Sequence, residues 1–314
     1  PPTKEYLLSV VDYWLRDRGV DGARLDVANE VDMRFWRAMR THLKAARPEA
    51  YILGEEWGDA SAWLGGDQWD ASMNYAFREA ALGFFATKKS SPSDLGRSLM
   101  TNVARYAPQV NRAMMNLLGS HDTARFLTLC KGDADMARLA AALQLTWIGV
   151  PSIYYGDELG MEGGPDPQNR RGMRWDLATA ANPFLARYRK LIAIRRSSAA
   201  LQSGDPRVLL TDDAAGTFGF ARVVPALGKA PAEVALVAIN RSDVPREVSL
   251  PIPSEASASG WVDVLVGGRP RVVGSRVFIL LPPKEAAILL PRGPRPTVSS
   301  SLTRVAALSQ SRKS

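Results

Sequence analysis

Asp26, Glu55 and Asp122 each stand where a short apolar run of the chain ends, and Arg24 shares the first of those runs with Asp26. The stretch Gly22-Ala23-Arg24-Leu25-Asp26-Val27-Ala28-Asn29-Glu30 reads as a buried strand that opens into a loop. At a side-chain period of two, Arg24 and Asp26 point to one side and Ala23, Leu25 and Val27 to the other. Either charge would be costly to bury alone, so the two are expected to meet. A guanidinium beside a carboxylate favours the ionised form, the state that a nucleophile or an electrostatic stabiliser requires. An ordinary ion pair that fixes a strand would use the same two residues, and this segment alone favours neither reading.

Such side chains need a scaffold that brings several strand ends to one mouth. Residues 3–18 form an amphipathic helix in which Tyr6, Leu7, Val10, Val11, Trp14 and Leu15 recur at helical spacing, and Gly19 stops it. A second helix spans 31–46, with Phe35, Met39 and Leu43 on one side. The run 50–55 ends in Glu55, 69–74 is a weaker strand, 113–118 leads into Gly119-Ser120-His121-Asp122, and 150–155 leads into Gly156-Asp157-Glu158. Helices are expected over 135–147, through Leu139, Leu143 and Trp147, and over 183–197, through Leu185, Tyr188, Leu191 and Ile192.

Alternating strands and helices, with strands that are apolar almost throughout, imply a parallel sheet covered by helices. Asp26, Glu55, His121 with Asp122, and Asp157 all fall at C-terminal strand ends, the rim on which a β/α barrel builds its sites. One acid at a strand end would be a cap; four in succession favour a site. Residues 1–200 thus read as the C-terminal part of a (β/α)8 TIM barrel, with about five strand-helix units where closure takes eight. Open apolar edges are an aggregation hazard, so either another chain supplies the missing strands or the sequence is a fragment. Residues 204–293 change to short alternating runs separated by turns such as Asp212-Asp213 and Gly267-Gly268, an antiparallel β-sandwich. Residues 294–314 show little pattern and read as a disordered tail.

The 314 residues, 46% hydrophobic and 23% charged, suit two globular domains. No run of about 18 apolar residues could span a membrane. The lone Cys130 excludes an internal disulfide, and with only His42 and His121 beside it the chain argues against a zinc site of the usual ligand types. The net charge of +8 is spread along the sequence, which points to a solvated basic surface and not to a nucleic-acid footprint. The chain opens on Pro1 without a signal peptide, so the native N-terminus is expected upstream and localisation is unread.

Gly22 to Val31, Ile52-Leu53-Gly54-Glu55-Glu56-Trp57 and Leu117-Leu118-Gly119-Ser120-His121-Asp122-Thr123 resemble three signature segments of the α-amylase family of glycoside hydrolases, in the family's order and at comparable spacing. The Val-Ala-Asn-Glu continuation, and Gly163 to Arg171, are similar to the branch that holds neopullulanase, cyclomaltodextrinase and maltogenic amylase. Carried over position by position, the resemblance makes Asp26 the nucleophile, Glu55 the general acid/base and Asp122 the third carboxylate, which bonds sugar hydroxyls. Arg24 holds Asp26 ionised, and His121 bonds hydroxyls of the attacked sugar. Asn29 and Glu30 line the leaving-group side, and Asp166 and Arg170 contact the sugar on the non-reducing side. A retaining glycosidase needs an ionised carboxylate and a protonated acid about 5–5.5 Å apart. Glu55 should therefore be partly buried and have acidic neighbours. Trp57, Trp63, Trp69 and Tyr155 suit stacking on sugar faces, although each alone is more often core.

The implied activity is cleavage of α-1,4-glucosidic bonds in cyclomaltodextrins, pullulan or starch-type α-glucans through a covalent glucosyl-enzyme. A transglycosylase, an isomerase or a non-catalytic binding module on the same frame are the alternatives. Glu56 and Gly58 stand where an apolar residue and often a histidine occur, and Ala124 where an acid is common; these changes bear on subsite preference. The family's first signature segment, an Asp…Asn-His run, has no match here. With it go the early strands, a calcium site of that missing part and the leading domain, so the isolated chain is expected to turn over little. No cofactor or metal is implied within the chain, and the full-length enzyme is compatible with a homodimer.

Overall fold

The computed structural model of the chain describes residues 2–256 and 260–292. Helix α1 (Pro2–Asp12) runs on through a π-helical turn at Tyr13–Asp17, and β1 (Gly22–Leu25) follows. Then come α2 (Met33–Ala46), β2 (Tyr51–Gly54), β3 (Ala71–Asn74), α3 (Tyr75–Ala81), α4 (Pro92–Arg105), α5 (Pro108–Ala113) and β4 (Met115–Leu117). After α6 (Phe126–Leu129), α7 (Ala134–Thr146) and β5 (Val150–Ser152), α8 (Pro183–Arg196) and α9 (Ala199–Ser203) complete this part. β1 to β5 pair in parallel in chain order, the arrangement of consecutive units of a β/α barrel. The expected strands and helices are there with ends moved by a few residues, since the sequence does not show where pairing stops.

The edges of this sheet behave as its open geometry requires. β3 is buried throughout, whereas every residue of β1 is only half-buried and Val150 of β5 is exposed. The apolar stripe of α1 has little to cover it: Leu15 is buried, but Tyr6 is 67% and Trp14 53% exposed. The stripe has amphipathic spacing, but the surface that it faces is not among the described elements.

The sandwich comprises β6 (Asp205–Asp212), β7 (Thr217–Val224), β8 (Glu233–Asn240), β9 (Arg246–Pro251), β10 (Trp261–Asp263), β11 (Arg271–Val273), β12 (Arg276–Leu281) and β13 (Glu285–Pro291). One antiparallel sheet runs β10-β13-β8-β7-β6 and the other β11-β12-β9. The exposed edge strand β11 went unread because none of its side chains is buried and no alternation marks it. The five-stranded sheet is covered on both faces: Phe218, Phe220, Val237, Ile239 and Ile288 join the core of the barrel helices, while Ala221, Val223, Leu236, Ala238 and Leu289 meet the smaller sheet. Arg222 is fully buried at this junction and donates from Nε to the Gly204 carbonyl at 2.8 Å and from Nη1 to that of Thr146 at the end of α7. Arg195 donates to Leu145, Trp147 and Gly149, so two arginines, one from each part of the chain, satisfy the orphan carbonyls where α7 ends. Residues 293–314, which include the expected tail, lie outside the described residues.

Asp70 fixes β2 against α2. Its carboxylate accepts from the Ile52 N–H at 2.9 Å, Lys44 Nζ at 3.0 Å and Arg40 Nη1 at 2.8 Å. Burial pushes the carboxyl up, but the donors outweigh it and hold it below its ordinary 3.8. Its stabilisation is therefore fully present above that pH and is lost as pH falls through the lowered value. Asp70→Asn should cost about 2 kcal/mol at neutral pH and much less near pH ~3. Denaturant melts at the two pH values check this; an equal loss at both would refute it.

Candidate active site

Parallel pairing sets Arg24 opposite Leu53 and Leu25 opposite Gly54, and the Glu55 N–H donates to the Leu25 carbonyl at 3.0 Å. The ends of β1 and β2 are thus level, and one guanidinium reaches both acids. Arg24 Nη1 bonds the Asp26 carboxylate, and Nη2 meets Glu55 Oε1 at 2.7 Å. A shared cation puts the two carboxylates on one side of the sheet and within a single guanidinium's span. That geometry suits the about 5–5.5 Å of a retaining pair.

The two acids differ in surroundings: the Asp26 side chain is 76% exposed and that of Glu55 only 8%. Glu55 Oε2 accepts from the Val27 N–H at 2.9 Å. Val27 makes that bond from a left-handed backbone, φ 42°, a conformation rare for a β-branched residue and costing about 1–3 kcal/mol. The acidic surroundings expected of Glu55 are replaced by a cation and an amide; Glu56 folds back to accept from the Gly58 N–H at 2.6 Å.

On the other side of the mouth, the loop after β4 carries His121 and Asp122. Asp122 meets His121 Nε2 at 3.1 Å and Arg170 Nη2 at 3.5 Å. Arg170 also pairs with Asp166 at 3.0 Å and donates from Nε to the His121 carbonyl at 3.0 Å. The structure therefore brings His121, Asp122, Asp166 and Arg170 together. Asn29 and Glu30 lie on a short 3-10 turn (Ala28–Glu30) with their side chains toward solvent, at the rim beside Val27.

Tyr75 joins the two sides. It directly follows β3 as the first residue of α3, is 3% exposed, and its hydroxyl is pushed up by burial and further by the carboxylates of Glu55 and Asp122, although Ser120 opposes the shift. It thus stays a neutral donor on the floor of the mouth at physiological pH. Trp57, 53% exposed, stacks on it with centroids 3.9 Å apart and rings 10° from parallel. Of the other candidate platforms, Tyr155 donates its hydroxyl to the Arg171 carbonyl at 2.7 Å, while Trp63 and Trp69 are packing residues. Trp69 is 1% exposed, lies in stacked contact with Trp63 at 5.0 Å, and occupies the space over Gly54, where a Cβ would come within 2.2 Å of its ring.

Asp157 does not line the mouth. The chain turns through a left-handed Gly156, and the Asp157 carboxylate is buried against Arg125 Nη1 at 3.0 Å; burial pushes it up to about 7 despite that partner. Counting acids at strand ends could not show which way the backbone turns after the strand. Four residues that shape the site were not singled out from the sequence: Val27, Tyr75, Arg125 and Asn169. Tyr75 directly follows a strand and so carried the same positional signal as the acids; Val27 and Asn169 stand within the resembling segments but with nothing to mark their roles, and Arg125 carried no signal. Among the described residues no three His, Cys, Asp or Glu side chains come together as a metal site.

The model of the α-amylase catalytic domain matches residues 1–187. A cyclomaltodextrinase of Geobacillus thermopakistaniensis is 44% identical over 283 residues, covering 90% of this chain and 47% of that protein. Neopullulanase 2 of Thermoactinomyces vulgaris is 40% identical, covering 92% of this chain and 48% of its own length. This chain thus spans about half the length of these curated relatives. Among solved structures, a cyclomaltodextrinase superposes with a TM-score of 0.83 at 37% identity, over 92% of this chain and 48% of that one. The ligand-free cyclic α-maltosyl-(1→6)-maltose hydrolase of Arthrobacter globiformis gives 0.78 at 32%, over 92% and 60%. The family model covers the barrel strands, and the relatives and solved structures extend over the sandwich as well: the chain belongs to the α-amylase family.

Proposed function

We propose that this chain carries the catalytic carboxylates of a retaining α-glucan hydrolase acting on α-1,4-glucosidic bonds. The single observation that carries the reading is the Arg24 guanidinium shared by Asp26 and Glu55 at level strand ends. Asp26, open to the mouth, attacks the anomeric carbon, while Glu55 delivers a proton to the leaving oxygen. Water then attacks the covalent glucosyl-enzyme, and Glu55 takes its proton. Asp122, with His121 beside it, bonds hydroxyls of the attacked ring. Asp166 and Arg170 hold the sugar on the non-reducing side, and Asn29 and Glu30 face the leaving-group side. The residues present supply this chemistry without a metal ion or an organic cofactor in a named role.

Substrates of the kind named in the relatives, cyclomaltodextrins and pullulan, fit a mouth with an exposed aromatic beside the acid. That same feature, Trp57 stacked on Tyr75, favours a second reading: a platform there can hold an acceptor sugar in place of water, giving transglycosylation.

Asp26→Asn should lower kcat/KM on cyclomaltodextrin by at least about three orders of magnitude in a version of the chain extended at its N-terminus to a closed barrel. Near-parental turnover of that variant would remove Asp26 as nucleophile. Trp57→Ala should shift products from maltotriose toward hydrolysis, with fewer oligomers longer than the substrate by chromatography. An unchanged ratio would remove the acceptor platform.

A further inference from the structure

The loop that presents His121 and Asp122 has no helix or strand between Leu117 and Phe126, yet a carboxylate that bonds one sugar ring must be held in place. The bonds that hold this loop come from the next one. Asn169, fully buried in the loop after β5, aims its side-chain amide at three carbonyls: Ser120 at 3.4 Å, His121 at 2.6 Å and Thr123 at 2.9 Å. Those carbonyls bracket Asp122 in the chain. Arg125, at the far end of the same loop, returns the contact, donating from Nε to the Asn169 carbonyl at 3.0 Å. Its Nη1 holds Asp157 and the Tyr155 carbonyl, and its guanidinium lies 4.4 Å and 4.7 Å from the ring centres of Tyr154 and Tyr155. The Arg125 N–H adds a bond to the Gly163 carbonyl at 3.0 Å.

Each loop is thus gripped by a side chain of the other, out of reach of water, where hydrogen bonds are strongest and a missing partner costs most. The chemistry at residue 169 is specific. Converging carbonyls need a neutral donor, and a carboxylate of the same shape would repel all of them. Arg170, the next residue along, touches Asp122 and the His121 carbonyl, so a displaced Asn169 also displaces the cation beside the third carboxylate.

We propose that Arg125 and Asn169 are positioning residues, a reciprocal clasp that sets Asp122 and His121 against the attacked sugar and holds them in register with Asp166 and Arg170. The proposal rests on the reading of Asp122 as the third carboxylate. A misplacement of about 1 Å at such a group costs roughly a hundredfold in rate.

Asn169→Leu keeps the volume without the donors, Asn169→Ser keeps one donor, and Arg125→Lys keeps the cation without the fork. On cyclomaltodextrin, in a version extended to a closed barrel, Asn169→Leu and Arg125→Lys should lower kcat about ten- to a hundredfold with KM within about threefold, and Asn169→Ser should fall between Asn169→Leu and the parent. In an Asp122→Asn background the further loss should shrink to about twofold or less, because the group they position is already gone. Equal losses in both backgrounds mean a merely structural role and overturn the proposal. A second readout does not need turnover. The chain has only two histidines, so NMR of the His121 ring, distinguished through His42→Gln, should show a shifted or broadened resonance in Asn169→Leu, or in Arg125→Lys if the former does not fold. An unmoved His121 resonance overturns the clasp. A parent extended at its N-terminus to a closed barrel that shows no turnover, but whose His121 is moved by the variants, counts against the hydrolase reading and supports the clasp.

Discussion

One guanidinium shared between two carboxylates is the constraint on which the site depends. Arg24 lies on β1, Asp26 follows it two residues later, and Glu55 ends the neighbouring strand. The cation can touch both acids only if β1 and β2 run parallel and in a register that levels their ends, as the Glu55 N–H to Leu25 bond shows. A slip of one residue would turn Arg24 to the opposite face and leave two acids without a common counter-charge. The strained Val27 amide adds a second hold on Glu55, so the buried acid is fixed from both sides while Asp26 stays open to solvent.

The other half of the mouth is built differently. β1 and β2 fix their acids through backbone pairing, whereas the loops after β4 and β5 fix theirs by exchanging side chains and backbone carbonyls. Asn169 and Arg125 do this in a buried setting, and Asp157, which looked like a rim acid, serves as the partner of Arg125. Deeper in the sheet a buried amide network holds the strands beneath these loops: Asn74 donates to Asn116 at 2.8 Å, and Gln144 donates to the carbonyls of Asn116 and Ser152. Polar groups buried this way stabilise only when satisfied, and here they link β3, β4 and β5 below the mouth.

Burial is uneven across the molecule, and the pattern has one cause. The five-stranded sheet of the sandwich is covered on both sides and shares a core with the barrel helices, so that end of the molecule is dry and continuous. The parallel sheet is dry in its middle and half-open at β1 and β5, where strand edges and the α1 stripe have no covering element among the described residues. Asp26 shares that exposure, since it ends an edge strand.

The sequence by itself determined the element types, the parallel and antiparallel halves, and the placing of acids where strands end. Apolar runs, helical spacing and strand-end positions are local properties, and a strand end is a place that can be read without knowing its neighbours. Only the tertiary structure decided which polar residues meet. Arg24 proved to bridge to Glu55 as well as Asp26, Tyr75 to lie between Glu55 and Asp122, Trp69 to be core, and Asp157 to turn inward. The clasping roles of Asn169 and Arg125 were invisible because an amide and a guanidinium in irregular loops have no periodicity. Their roles arise from hydrogen bonds between segments 30 to 49 residues apart, and such bonds exist only once both loops are folded against each other.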